Sequence, residues 1–186
     1  GVAAAIRPTH APAAQVSDIL ENAADLICIF TPATGRIEFM SPNVRRYGYA
    51  PAEVVGRSII EFIHPDDRAR VITDLQRMIE TGAIFPTEFR LIIKDGTYFY
   101  AEETDQPIIR DGQVVSIVSM IRDITERKRA DLALAESEKK FRLLSEQVSA
   151  AIIIHQGGKF VYVNPYTVRF SGYYEAELLG MDFWEL

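Results

Sequence analysis

Two Asp-Gly pairs place the strongest constraint on how this 186-residue chain can fold. Asp95-Gly96 and Asp111-Gly112 separate three runs rich in β-branched and aromatic residues, at 88–94, 97–109 and 114–121. Asp-Gly between apolar runs is a strong hairpin signal, because the favoured tight turn needs positive φ at both central residues. Two such signals in succession predict a three-stranded antiparallel meander, each Asp-Gly pair being read as a two-residue turn. In the first run Phe89, Leu91 and Ile93 share a parity and so one face of the sheet. A shorter hairpin precedes it. The compact apolar run 26–30, the turn cluster Thr31-Pro32-Ala33-Thr34-Gly35 and the run 36–40, with Ile37 and Phe39, supply its parts. Five antiparallel strands follow, with helices inserted between the second and the third.

The inserted helices are marked by their ends. Ser41 precedes Pro42 as an N-cap precedes a first helical residue, and Gly48 stops the patch after Tyr47. A second short turn, 50–56, closes at Gly56, and 59–63 is a short apolar piece. His64-Pro65-Asp66-Asp67 then caps a longer helix, 68–81, with Val71, Ile72, Leu75, Met78 and Ile79 on one stripe and Gly82 at its end. Asp66 and Asp67 at that start complement the helix dipole. Before the first strand, Val16, Ile19, Leu20 and Ala23 stand at helical spacing. The Ala/Pro-rich first 14 residues, beginning at Gly1, read as a tail or linker of a longer protein.

The last strand of the meander runs straight into a helix. Val114, Val115, Ile117, Val118 and Ile121 form a buried strand, and Asp123-Ile124-Thr125-Glu126 opens a charged helical pattern. Asp123 is expected to cap that helix and Glu126, three residues on, to reach back as its capping-box partner. The helix is expected to run over 125–148. Leu134, Phe141 and Val148 at heptad position a, with Ala130, Ser137 and Leu144 at d, make a sparse seam that can pair two subunits.

The rest of the chain copies its start. IEFMSPNVRRYGYAPAEVVG (37–56) aligns with FVYVNPYTVRFSGYYEAELLG (160–180), with one residue inserted in the second copy. Gly48-Tyr49 matches Gly172-Tyr173, and the segment 52–56 matches 176–180. The expected organisation is a tail (1–14), a complete domain with its N-terminal helix (15–125), a connector helix (126–148) and the N-terminal part of a second domain (149–186).

Taken together, Ser41-Pro42-Asn43, Gly48-Tyr49, His64-Pro65-Asp66-Asp67, Lys94-Asp95-Gly96 and Asp123-Ile124-Thr125-Glu126-Arg127 resemble the PAS sensory domain of bacterial signalling proteins. The resemblance implies an α+β fold with a five-stranded antiparallel sheet in the order 2-1-5-4-3, cupping short helices and one longer helix. It implies a sensory and dimerisation module of a multidomain protein, of histidine kinase or diguanylate cyclase type, with Asp123, Ile124, Thr125 and Glu126 as the signal-output junction. The implied partners are a second copy, through Leu134, Phe141, Leu144 and Val148, and a downstream signalling domain in the same chain. The implied setting is the cytoplasm.

Chemistry-bearing constellations are scarce. There is no Gly-rich phosphate loop or nucleophile elbow, so the segment is expected to be non-catalytic. A net charge of −6 argues against nucleic acid as a partner. No apolar run reaches the length of a membrane helix. The single cysteine, Cys28, sits in the first strand and reads as a small core residue, excluding an internal disulfide and any cysteine metal cluster. Haem-binding relatives use a histidine on the main helix, and 68–81 has none; covalent flavin chemistry needs a cysteine just before that helix, and none is there. His64 reads as part of a structural turn. A pocket between the sheet and the main helix would be lined by Phe62, Val71, Leu75, Phe89, Leu91, Tyr98, Ile117 and Ser119. Such a lining suits an apolar ligand, a fatty acid or a flavin ring, better than a carboxylate. A packed core with no ligand, serving a dimerisation scaffold, is the competing expectation. Arg90, of opposite parity to Phe89 and Leu91, belongs outside, and Val118 and Met120 leave the outer face apolar, to be covered by the N-terminal helix or a second subunit.

Overall fold

The computed structural model describes residues 13–185. Two compact units divide the chain, residues 1–128 and 129–186. The first twelve positions of the expected tail lie outside the described residues.

In the first unit, α1 (Ala13–Asn22) leads into β1 (Leu26–Thr31) and β2 (Arg36–Met40). A 3-10 helix (Pro42–Tyr47), α2 (Pro51–Val54), a second 3-10 turn (Ile59–Phe62) and α3 (Pro65–Thr81) follow, and then β3 (Thr87–Ile92), β4 (Tyr98–Arg110) and β5 (Gln113–Asp123). The sheet order is β2-β1-β5-β4-β3, all pairs antiparallel. The expected fold and strand order are therefore observed.

Local chemistry explains the breaks. Asp111 (φ 50°) and Gly112 (φ 77°) both take left-handed backbone, the demand of a two-residue turn, and Arg110 pairs with Gln113 across it. The first meander turn differs from expectation. Ile93 N–H donates to Thr97 O and Gly96 N–H to Ile93 O, so the loop holds three residues, Lys94, Asp95 and Gly96, with Gly96 left-handed (φ 87°). Asp95 Oδ1 accepts from Thr97 N–H (2.8 Å) and from the Thr97 hydroxyl (2.7 Å), which ties the loop shut.

Parity decides the core. Leu26, Cys28 and Phe30 of β1, Ile117, Ser119 and Ile121 of β5, Phe99, Ala101 and Glu103 of β4, and Phe89 and Leu91 of β3 all face the cupped side and are buried. Cys28 pairs with Ser119 and Ser119 with Asp105, so a polar row crosses the middle of an otherwise apolar face. On the outer face Met120 stays half exposed, while α1 leans on the 3-10 helix Pro42–Tyr47 through Arg45 and Glu21 (3.0 Å).

The α3 start is built differently from a simple dipole complement. His64 is its N-cap residue and Asp67 is bound by Arg90 of β3 through three hydrogen bonds, two from the guanidinium and one from the backbone N–H, each 2.9 Å. Arg90 also reaches Asp66 (3.3 Å) and lies over the Tyr98 ring, off the cupped face as its parity predicts. The helix is thus pinned at its start to the sheet edge.

The helix α4 (Thr125–Gln147) begins in the first unit and belongs mostly to the second. There β6 (Ile153–Gln156) and β7 (Lys159–Val163) pair antiparallel, followed by α5 (Pro165–Ser171) and α6 (Glu175–Leu178). Phe160, Val163 and Leu178 are its buried apolar core. The inserted residue of the second copy shows as a seven-residue α-helix where the first copy has a six-residue 3-10 helix.

Candidate functional site

Two features of the first unit are the candidates for function: the interior of the cup and the joint between β5 and α4. The interior holds a cavity of about 40 Å³ lined by Leu26, Met40, Val54, Phe62, Leu91 and Phe99 among others. That volume has room for a few waters at most, and a drug-sized ligand pocket is roughly ten times larger. The cavity lies under the short helices and not under α3. Of the expected lining residues, Phe62 and Leu91 border it. Phe89, Ile117 and Ser119 are buried in the core beside it. Val71 and Leu75 instead meet Glu103 and Asp105 in a separate, smaller space under α3.

Tyr98 is a correction. It points out of the cup and is 44 % exposed, while its neighbour Phe99 points in. The three-residue loop brings Phe99 opposite Leu91, and parity does the rest. Two aromatic residues outside the expected lining, Tyr47 and Tyr49, close the cavity from the helical side. Tyr47 stacks on Phe99 with ring centroids 4.2 Å apart, and Tyr49 meets Phe62 edge-on at 5.4 Å.

The joint is built from both faces of the sheet. On the cupped side, Asp123 Oδ1 accepts from Thr125 N–H (2.8 Å) and Oδ2 from the Tyr47 hydroxyl (3.2 Å). Burial first, and then the Asp123 carboxylate, push the Tyr47 hydroxyl well above the ordinary phenol range. Ile124 donates to Tyr100 O (2.8 Å), and the Thr125 hydroxyl accepts from Tyr100 N–H (3.0 Å), so the turn continues the β4 ladder for two residues past the strand. Ile124 O accepts the first helical bond, from Lys128 N–H, which makes the buried Ile124 the N-cap position and Asp123 the residue before it. Glu126 is exposed and makes no hydrogen bond to the Asp123 backbone, so the expected capping box does not form. Thr125, bound to Tyr100, and Asp123 take over that work.

On the outer side, Glu88 and Glu102 face each other across β3 and β4. Like charges at such a pair repel. Arg127, in the first turn of α4, reaches both carboxylates, at 2.9 and 2.8 Å, and Lys128 bonds Glu88 as well. The repulsion across the strands thus becomes a two-point grip on the helix. Sequence reading named Arg127 only as part of a motif; its partners lie 39 and 25 residues away.

A family model described as "PAS fold" matches residues 37–121, and one described as "PAS domain" matches 139–186, together well over half of the chain. The chain belongs to the PAS domain family. Among solved structures, the PAS chain resembles a sensory box histidine kinase/response regulator from Burkholderia thailandensis, with a TM-score of 0.57 at 29% identity, covering 69% of this chain and 98% of that one. Sporulation kinase A of Bacillus subtilis is 26% identical over 174 residues, 90% of this chain and 28% of the relative. A probable diguanylate cyclase of Escherichia coli is 24% identical over 65% of this chain and 11% of its own length. The chain therefore spans only a minor part of the curated relatives it matches. The relatives are signalling proteins, and PAS domains are sensory domains that typically carry no catalysis of their own.

Within this PAS chain the expected seam residues of α4 are placed as follows. Leu134 and Leu144 are exposed, Phe141 tilts onto the Tyr162 ring at 5.2 Å, and Val148 lies just past the helix end at Gln147. The helix end is held by Asn164. Its side chain donates to Ser145 O (2.8 Å) and Ala150 O (3.0 Å) and accepts from Ile152 N–H and Thr167 N–H (3.0 Å each). The first PAS copy does the same with two residues: Asn43 donates to Ala23 O and Asp25 O, and Ser41 accepts from Ile27 N–H. No described helix is long and apolar enough to cross a membrane.

Proposed function

We propose that the chain is the sensory and dimerisation segment of a multidomain signal-transduction protein, passing a change in the first PAS cup to α4. The observation that supports this most directly is the joint: β5 and α4 share no slack loop, and Asp123, Thr125 and Arg127 tie the helix start to β3, β4 and the Tyr47 turn. On this reading residues 15–125 are the sensing domain, 126–148 the connector and 149–186 the start of a second PAS domain. Leu134 and Leu144, exposed on α4, are the side chains offered to a second copy, and a histidine kinase or diguanylate cyclase output follows in the same cytoplasmic protein.

The test is the output activity of the full-length protein carrying Asp123→Ala. Blunted regulation with the sheet still folded, seen by circular dichroism, supports the reading; unchanged regulation in a folded variant overturns it. Sedimentation of the wild type and of Leu134→Ser with Leu144→Ser tests the pairing.

A specific observation favours a second reading, a ligand-free PAS scaffold that holds dimers together. The cavity of about 40 Å³ is far below the size of a flavin or a fatty acid. The absorbance spectrum and an organic extract of the purified protein separate the readings. A visible flavin band or an extracted lipid supports a ligand sensor, and a colourless, empty sample supports the scaffold.

A further inference from the structure

One group of side chains plays no part in the joint. β4 carries Phe99, Ala101, Glu103 and Asp105 on its cupped face, so the apolar half of the row gives way to two carboxyl groups two residues apart. Glu103 is 6 % exposed and lies beneath α3, with Asp105 beside it. The groups around them can be named element by element. From β5 the Ser119 hydroxyl donates to Asp105 Oδ1. From β1 comes the buried Cys28, whose thiol burial holds neutral. From β3 comes Thr87, and from the loop before it Phe85. From α3 come Val71, Leu75, Met78 and one more carboxylate, Asp74. The nearby cations are engaged elsewhere: Arg70 pairs with Asp74 at 3.6 Å and Arg77 lies over the Phe85 ring at 4.3 Å. Among the described residues, no ion pair or hydrogen bond brings a cation to either Glu103 or Asp105. Two ionised carboxylates side by side in such a place, without a counter-charge, are strongly disfavoured.

We propose that Glu103 and Asp105 hold one proton between them at neutral pH, and that its loss to solvent base as pH rises loosens the β4–β5 ladder. Burial, and then the charge of Asp105, raise the Glu103 carboxyl well above the ordinary range, and burial raises Asp105 too. Glu103 is the group that keeps the proton, because it is the more buried and has the Asp105 charge beside it. The sign follows. A carboxyl group that holds its proton more tightly when folded favours folding most at low pH. That advantage is lost as pH climbs from the ordinary carboxylate range to the raised value.

The position makes the proton a signal and not only a burden. Glu103 pairs with Ile121 and Asp105 with Ser119, and the next inward-facing pair along the ladder is Ala101 with Asp123. The proposal deepens the sensory reading by naming a signal, and rests on that reading only for the step from ladder to helix. Failure of that step would appear in the Asp123→Ala experiment and leave the proton measurable by itself.

The experiment uses the whole chain. Infrared spectra at pH 7 should show a protonated carboxylic acid band in the wild type that is absent in Glu103→Gln. Hydrogen-exchange protection of the β4–β5 amides, corrected for intrinsic rates, should fall as pH rises above the ordinary carboxylate range, by up to tenfold per unit for one linked proton, and stay level in the variant. No acid band at pH 7, or equal slopes in both proteins, overturns the proposal. Should Glu103→Gln not fold, Asp105→Asn serves. An acid band that titrates at lower pH supports the shared proton, and one that titrates unchanged overturns it.

Discussion

Tyr47, the last residue of the 3-10 helix after the β1–β2 hairpin, donates its hydroxyl hydrogen bond to Asp123 at the end of β5, 3.2 Å away and 76 residues later in the chain. The same ring stacks on Phe99 over the cavity. One side chain therefore touches both the interior of the cup and the residue where β5 ends, just before α4.

Asp123→Ala removes two hydrogen bonds that its carboxylate accepts at that joint, from Thr125 N–H and from the Tyr47 hydroxyl. We expect a loss of about 1 kcal/mol, the usual cost of a missing side-chain cap. Amide exchange at Thr125 should quicken while the β1–β5 amides are unchanged. Tyr47→Phe removes one bond and keeps the stack, so it should cost less, on the order of 0.5–1 kcal/mol.

Arg127 is half exposed, and each of its ion pairs is a surface pair. A double-mutant cycle of Arg127→Ala with Glu102→Gln should give a coupling of roughly 0.2–1 kcal/mol, shrinking in high salt. Glu102→Gln alone should cost little, because it also relieves the repulsion with Glu88.

The Asp67 carboxyl is held down at about 2 by the Arg90 hydrogen bonds. A depressed carboxylate stabilises the fold above its ordinary range near 3.8, and the benefit fades as pH falls toward 2. Asp67→Asn should therefore cost about 1–2 kcal/mol at pH 6 in denaturant titrations, with partial solvent exposure keeping the figure modest. The gap to the wild type should close in acid. The slope is opposite in sign to that expected for Glu103.

Ile121 is 2 % exposed and pairs with both Leu26 and Glu103. Ile121→Ala should cost about 2–5 kcal/mol, read by urea unfolding. It should also enlarge the cavity that Ile121 lines, so that small apolar molecules raise the variant's melting temperature more than the wild type's.

The meander was legible because Asp111-Gly112 states its turn type outright and alternation states the face. The β3–β4 turn is one residue longer than its Asp-Gly pair predicts, since Asp-Gly also closes a three-residue loop. That one residue is why Tyr98 faces solvent and Phe99 the cavity. The same parity carried a signal that went unread: a strand showing Phe99, Ala101, Glu103 and Asp105 at alternate positions puts its acids on the buried face. Arg127 was harder. Its partners, Glu88 and Glu102, become neighbours only once β3 and β4 are in register. The pocket failed for a similar reason, since which helices cover which half of the sheet depends on packing among residues far apart in the chain.

Asn164 makes three hydrogen bonds to backbone groups between the end of α4 and the start of β6 and a fourth to Thr167 N–H of α5, and Asn43 with Ser41 does the matching task after α1. A joint of that kind has low compliance: the bonds to Ala150 O and Ile152 N–H brace the five residues, 148–152, that separate α4 from β6. Replacing Asn164 with alanine would turn a rigid coupling into a swivel.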